Sequence, residues 1–347
     1  MKKFDFLIVG AGIAGASLGA RIAARGRTLL IEAEANPAVH ATGRSAAFWL
    51  APYGGPEVMP LTLASHAELL AHGELRRRGA ITIARDAGAL AGVDGQRVDR
   101  AELDALVPEI RSDWTHGSFD ASCADIDVAA VHARYLASFR KDGGTLSVTM
   151  PLHGAERVSG VWQVRCGDEV VEAAVLVNAA GAWADGVAER CGVAPMGLQP
   201  MRRTVVQLRV GQKGLRDLPL VIDVGGGFYF KGESDDRVWL SPHDESPCEP
   251  CDAAPDEIDV ARAIDAFQAV VDWPIEAVER RWAGLRTFSK SRLPVYGFDP
   301  GAAGFFWCAG QGGWGIQTAP AASVLAAKLL LGEPAGAIDP SPYRVRR

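Results

Sequence analysis

Three stretches of nearly unbroken apolar sequence, each running into glycine, organise the hydrophobic pattern of this chain: Phe4-Asp5-Phe6-Leu7-Ile8-Val9 before Gly10, Ala174-Val175-Leu176-Val177 before Gly181, and Phe305-Phe306-Trp307-Cys308 before a glycine loop. Strands of this kind need cover on both faces, so they read as parallel strands of an α/β sheet. Helix-like spacing follows each of them: as far as Gly26, beyond Trp183, and from about Ala319 to Leu331. Another helix is expected from about Val128 to Lys141, ahead of a strand at Thr145-Leu146-Ser147-Val148. Hairpin-like strands follow around residues 160–164 and 169–171, with a turn at Gly167-Asp168.

Two blocks of different character separate these units. From Pro52 to about Asp125 the pattern predicts one helix, Leu61 to Arg78, short strands such as Ile81-Thr82-Ile83, and turns. From Leu198 to about Thr287 apolar and polar residues alternate, as in Thr204-Val205-Val206-Gln207-Leu208-Arg209-Val210 and Gly227-Phe228-Tyr229-Phe230. Such alternation predicts a half-buried antiparallel sheet.

The first unit carries a chemical signal. Its strand enters Gly10-Ala11-Gly12-Ile13-Ala14-Gly15, a helix starts on the glycines, and Thr28-Leu29-Leu30-Ile31 ends in Glu32, the order that seats a dinucleotide. Gly10 allows the tight turn, Gly12 lets the backbone approach a pyrophosphate, and Gly15 lets helix and strand pack closely. The positive helix end then faces the phosphates, and Glu32 reaches the adenosine ribose.

Composition narrows the class. The chain has 347 residues, enough for two domains or one large interrupted one, and 48% of them are hydrophobic, with a mean hydropathy of +0.05. No apolar run approaches the roughly 20 residues that cross a bilayer. Met1-Lys2-Lys3 leads straight into the dinucleotide motif rather than a signal peptide, so the expected location is cytoplasmic. A net charge of −6 argues against nucleic acid, and Arg76-Arg77-Arg78 reads as a solvated helix end. Of the six cysteines only Cys248-Glu249-Pro250-Cys251 resembles a ligand or redox pair; without a second pair, and flanked by Pro247, it reads as a surface loop.

Further motifs make a family resemblance specific. His40-Ala41-Thr42-Gly43-Arg44-Ser45-Ala46-Ala47, then Val175 to Trp183, then Trp282-Ala283-Gly284-Leu285-Arg286, then Gln311-Gly312-Gly313-Trp314-Gly315-Ile316-Gln317-Thr318 stand in this order over nearly the whole chain. Together they resemble the D-amino acid oxidase family of FAD-dependent amine oxidoreductases, most closely its D-arginine dehydrogenases. The resemblance implies FAD, an amino acid substrate, and an electron acceptor such as oxygen, a quinone or another carrier. It implies a discontinuous Rossmann-like FAD-binding domain of residues 1–51, 126–197 and 288–347, with an antiparallel-sheet substrate domain of residues 52–125 and 198–287. Besides the first glycines, Ile13, Ala14 and Glu32, it places Thr42, Gly43, Arg44, Ser45, Ala46 and Ala47 at the cofactor, on a segment expected to begin a helix. Leu152, Ala180, Gly181, Trp183, Gly284, Gly312, Trp314, Gly315 and Ile316 complete that set.

At the substrate the resemblance assigns the carboxylate to Arg286 and Arg202, with Arg203 as the neighbouring register, and to Tyr229 and Tyr53. Gln317 and the Gly313 carbonyl are expected near the amine. The polar groups that surround an arginine side chain in the relative are matched here by Phe48, Leu50 and Ala87. A guanidinium in that pocket would lose hydration without a partner, at a cost of several kcal/mol. The expected reaction is therefore hydride transfer from a D-amino acid with a neutral, apolar side chain, giving an imino acid that water converts to a 2-oxo acid and ammonia. A secondary amino acid of the sarcosine, proline or pipecolate type, and a flavin-binding subunit without turnover, are the alternatives.

Overall fold

A computed structural model of the chain describes residues 1–346. Its helices are α1 (Ile13–Ile22), α2 (Met59–Ala71), α3 (Arg100–Leu106), α4 (Val128–Lys141), α5 (Ala184–Arg190), α6 (Glu257–Gln268) and α7 (Gly315–Leu331). The strand Lys2–Val9 lies inside an eight-stranded sheet, parallel to Thr28–Ile31 on one side and Glu169–Asn178 on the other. Thr145–Ser147 extends the parallel set beyond Thr28–Ile31, and Phe305–Ala309 extends it beyond Glu169–Asn178. Because Val9 stands opposite both Ile31 and Asn178, three strands end level with one another and open a crevice at their carboxyl ends.

The hairpin strand and the buried parallel strand expected separately form one strand, Glu169–Asn178. Its first half pairs antiparallel with Val161–Cys166, while its last three residues pair parallel with Phe305–Ala309. Leu18 and Ile22 of α1 pack with Tyr135 and Phe139 of α4 and with Leu325 of α7 on one face of the sheet; Ala184 and Val187 of α5 cover the other. Helix α7 starts at Gly315, four residues before the expected Ala319, and holds Pro320 inside, where the ring removes one amide from the helical ladder.

A nine-stranded sheet forms the second layer system. Its longest pair, Gln199–Val210 and Ile275–Phe288, is antiparallel, and the sheet continues through Arg237–Ser241, Tyr229–Gly232 and Leu220–Asp223. Ala80–Ala84 then joins it parallel to Leu220–Asp223. Val206, Leu208, Phe230 and Leu240 bury this sheet against Val260 and Phe267 of α6.

One predicted helix needs correction. It ends at Ala71 rather than Arg78, because Gly73 takes a left-handed turn (φ +68°) that no longer continues the ladder. Leu75–Arg77 is instead a strand against Ala124–Ile126, whose other neighbour is Phe48–Trp49. Nor is the basic run simply solvated: Arg78 and Arg76 reach Asp125 at 2.6 and 3.0 Å, and Lys231 meets it from the second sheet at 2.8 Å. Residues 42–45, expected to begin a helix, form a turn.

Candidate active site

A cleft of about 560 Å³ runs from the carboxyl ends of the parallel strands to the face of the second sheet. Its floor is set by glycine. A Cβ on Gly10, which has φ +100°, would stand 2.6 Å from the Ala179 carbonyl, and one on Gly15 would stand 1.9 Å from the Gly10 carbonyl. Both positions exclude side chains so that turn, strand and helix can touch. At Gly12 a Cβ would meet only the Thr42 hydroxyl at 3.2 Å, which leaves open space before the amino end of α1, where a diphosphate fits. Gly181 (φ +55°) likewise faces open space.

Glu32 is held ready at this end. One carboxylate oxygen accepts the Ala11 amide at 2.9 Å and the other the Glu34 amide at 3.1 Å. Thr42 explains why the His40–Ala47 segment sits here: its hydroxyl accepts the Ile13 amide at 3.0 Å, capping α1 from another part of the chain because Gly12 has no side chain to do so. Arg44 reaches across to the second sheet. It donates to the Ala253 and Ala283 carbonyls at 3.0 and 3.1 Å and pairs with Asp252, tying the turn to the second sheet.

Most residues expected at the cofactor line this cleft: Gly10, Gly12, Ile13, Ala14, Glu32, Thr42, Arg44, Ser45, Ala46, Ala47, Leu152, Ala180, Gly181, Trp183, Gly284, Gly312, Gly315 and Ile316. Three do not. Gly15 lies behind the floor, Gly43 closes the turn against the Ala38 carbonyl, and Trp314 is buried beside Val58 and Phe288. His132 is a support that sequence reasoning missed: its Nε2 lies 2.8 Å from the Ala11 carbonyl, a contact between elements distant in sequence.

The other end of the cleft is built around Arg286. Strand alternation and the pairing of Met201 with Arg286 and of Arg203 with Gly284 put Arg203 and Arg286 on one face. Arg202 therefore faces the other way, and its guanidinium reaches Asp259 and Asp256 at 3.0 and 3.5 Å. The expected role of Arg202 is corrected accordingly; Arg203 is the member of the pair that lines the cleft. Arg286 Nη1 donates to the Tyr53 hydroxyl at 3.1 Å, Nη2 pairs with Glu245, and its buried Nε has no partner among the described residues. Gly313 must lack a side chain here, since a Cβ would approach Arg286 Nη1 to 2.5 Å and the Tyr53 hydroxyl to 2.9 Å.

Glu245 also pairs with Arg292 at 2.9 Å and lies 3.7 Å from Arg203. Three guanidinium groups thus face Glu245 and Asp244, leaving one net positive charge. Burial, with the Arg203 charge close by, pushes His243 down to about 4, so it is neutral near pH 7. Burial raises Tyr229, which keeps its hydroxyl protonated. No spacing in the sequence marks Glu245, Arg292 or His243, because the turn that gathers them is tertiary.

Phe48 lines the cleft, its ring 5.1 Å from Tyr53 and 5.9 Å from Tyr229. The two other pocket expectations are corrected. Leu50 is buried behind the wall with Cys123 and Leu220, and Ala87 is exposed at the start of a short helical turn capped by Asp86. Gln317 reaches the cleft, yet its amide is committed to the active-site loop: it donates to the Tyr53 carbonyl at 2.9 Å and accepts the Leu50 amide at 3.2 Å.

A parallel sheet whose glycine turn opens under a helix, facing a second sheet that presents an arginine, defines a dinucleotide-binding α/β protein with an anion-holding side chain across the cleft. The chain belongs to the FAD dependent oxidoreductase family DAO, whose model matches residues 5–329, and its cofactor is FAD. A curated relative, FAD-dependent oxidoreductase domain-containing protein 1 of Xenopus laevis, is 28% identical over 198 residues, 51% of this chain and 38% of that protein. The chain thus spans about two fifths of that relative's length. Glycine oxidase from Geobacillus kaustophilus has the same fold, with a TM-score of 0.85 at 20% identity and coverage of 100% and 99%. So does L-proline dehydrogenase from P. horikoshii, with a TM-score of 0.85 at 17% identity and coverage of 99% and 97%.

Proposed function

We propose that this protein oxidises the carbon–nitrogen bond of an α-amino acid carrying a single carboxylate, with a neutral side chain and the D configuration. The observation that carries the reading is the Arg286 anchor: a guanidinium in the cleft wall, braced by Tyr53 and cleared of side chains by Gly313. FAD, held by the Gly10–Gly12 turn, Glu32 and Thr42 at the amino end of α1, would supply the hydride acceptor for the α-hydrogen. The protein's part is orientation. Arg286 and Tyr53 take the substrate carboxylate, a paired contact that fixes which way the α-hydrogen points. The protonated Tyr229 hydroxyl and the Arg203 charge stand beside that carboxylate, and the one net positive charge of the cluster matches one negative group. Phe48 supplies an apolar wall for the side chain, which disfavours a guanidinium substrate. Release of the imino acid to water gives the 2-oxo acid and ammonia.

A second reading keeps the anchor and changes the amine. Gly312 and Gly313 line the cleft beside Arg286 with backbone alone, so no side chain of theirs selects against an N-substituted or cyclic amino acid. The two structural relatives named above act, by their names, on a primary and a secondary amine. The test is anaerobic mixing of the flavin-loaded protein with D-leucine, D-phenylalanine, D-methionine, D-arginine, sarcosine and proline, followed at the visible flavin band. Bleaching by the neutral D-amino acids with ammonia release supports the first reading. Bleaching confined to the secondary amines selects the second, and clear preference for D-arginine rejects the apolar wall. Bound flavin that none of them bleaches points to a non-catalytic subunit.

A further inference from the structure

The loop Cys248-Glu249-Pro250-Cys251 has no part in the reaction above, yet its two sulfurs lie 3.7 Å apart and Cys251 lines the wall of the cofactor cleft. Both ends of the loop are pinned. The Cys248 amide donates to the Pro200 carbonyl at 3.0 Å, while Asp252 and the Ala253 carbonyl hold Arg44. Pro250 fixes one backbone angle between the cysteines, so little chain entropy opposes closing so small a ring. A disulfide requires the sulfurs to approach to about 2.05 Å, a shift within reach of side-chain rotation. Among the described residues no group of three His, Cys, Asp or Glu is placed to hold a metal ion.

We propose that Cys248 and Cys251 are a reversible dithiol–disulfide pair on the cofactor-cleft wall, taking small dialkyl disulfides such as oxidised glutathione as the reactant. Cys251, the exposed member, attacks. Its thiolate displaces one thiolate from the dialkyl disulfide and forms a mixed disulfide; Cys248 then gives its proton to solvent, attacks the Cys251 sulfur and expels the second thiolate. Two protein thiols are oxidised to one disulfide and the dialkyl disulfide is reduced to two thiols, so atoms and electrons balance. Burial and the neighbouring Cys251 sulfur raise the Cys248 thiol in the reduced pair, which suits it to wait as the resolving group. The other cysteines are silent by comparison: Cys123, Cys191 and Cys308 are buried with thiols pushed up to about 12, and Cys166 to about 11.

The test equilibrates the flavin-loaded full chain in glutathione buffers of graded oxidation, quenches with an alkylating reagent and maps the peptides by mass. The expected result is loss of alkylation at Cys248 and Cys251 together, a peptide lighter by two hydrogens, and full return on adding reduced glutathione. Cys248→Ser is expected to trap a glutathione adduct on Cys251 that the wild type does not accumulate. Persistent free thiols at both positions in excess oxidised glutathione overturn the proposal. So does an adduct that accumulates equally in wild type and Cys248→Ser, because it shows that no resolving thiol is in reach.

Discussion

At the scale of single residues, the site is an exercise in compensating charge. Glu245 pairs with the edge of the Arg286 guanidinium proposed to take the substrate carboxylate, which under that proposal makes it a resident competitor as well as a counter-ion. Glu245→Gln is expected to lower KM about threefold to tenfold with kcat little changed, since it removes an interaction of the free enzyme alone; initial-rate kinetics check this. A raised KM would show instead that Glu245 holds Arg286 in place. His243 gives a pH signature. Its folded value of about 4 lies below the ordinary histidine value, so the unfolded chain binds a proton first as pH falls. Stability is therefore complete above about 6.5 and declines on the way down to 4, by on the order of 1 kcal/mol after solvent screening. Thermal melts of wild type and His243→Asn are expected to converge as pH drops through that window. Which residues meet here was only partly legible from sequence: the motif ending in Arg286 was visible, but choosing Arg203 over Arg202 takes the register of a strand pair.

At the scale of elements, local patterns were legible and tertiary ones were not. The strand, glycine turn and helix from Lys2 to Ile22 follow from adjacent residues, and α4 lies where its periodicity places it. The strand Leu75–Arg77 was hidden, because a strand with two arginines running into a third makes sense only once Asp125 and Lys231 arrive from elsewhere. Leu50 and Ala87 failed for a related reason: a matched position in a resemblance does not fix where the chain carries it. The Asp125 cluster joins the three-stranded sheet to the second sheet, with Arg78 and Lys231 side chains only 2% and 5% exposed. Burial raises the Asp125 carboxyl, but the hydrogen bonds and charges of Arg78 and Lys231 outweigh it and hold the group at about 2. Its contribution is present above about 3.9 and is lost as pH falls through 2. Asp125→Asn is expected to cost about 3 kcal/mol by leaving two buried cations short of a partner, measured by urea unfolding at pH 7. A loss below 0.5 kcal/mol would mean that solvent already screens the cluster.

At the scale of the whole molecule, two sheet systems divide the work. The parallel sheet ends in glycine turns at the cofactor end of the cleft, and the antiparallel sheet faces it with the Arg286 guanidinium, the proposed anchor of the substrate carboxylate. The cleft between them joins residues as far apart in the chain as Gly12, Tyr53, Arg286 and Gly313. No helix among the described residues is long and apolar enough to cross a membrane. The most direct measurement is rapid anaerobic mixing of wild type and Arg286→Met, both loaded with FAD, with a neutral amino acid that bleaches the wild type. The expected result is flavin reduction slowed about a hundredfold or more with FAD still bound, the loss of a charged pair worth roughly 3 kcal/mol. Equal rates of bleaching in the two proteins would contradict the role assigned to Arg286.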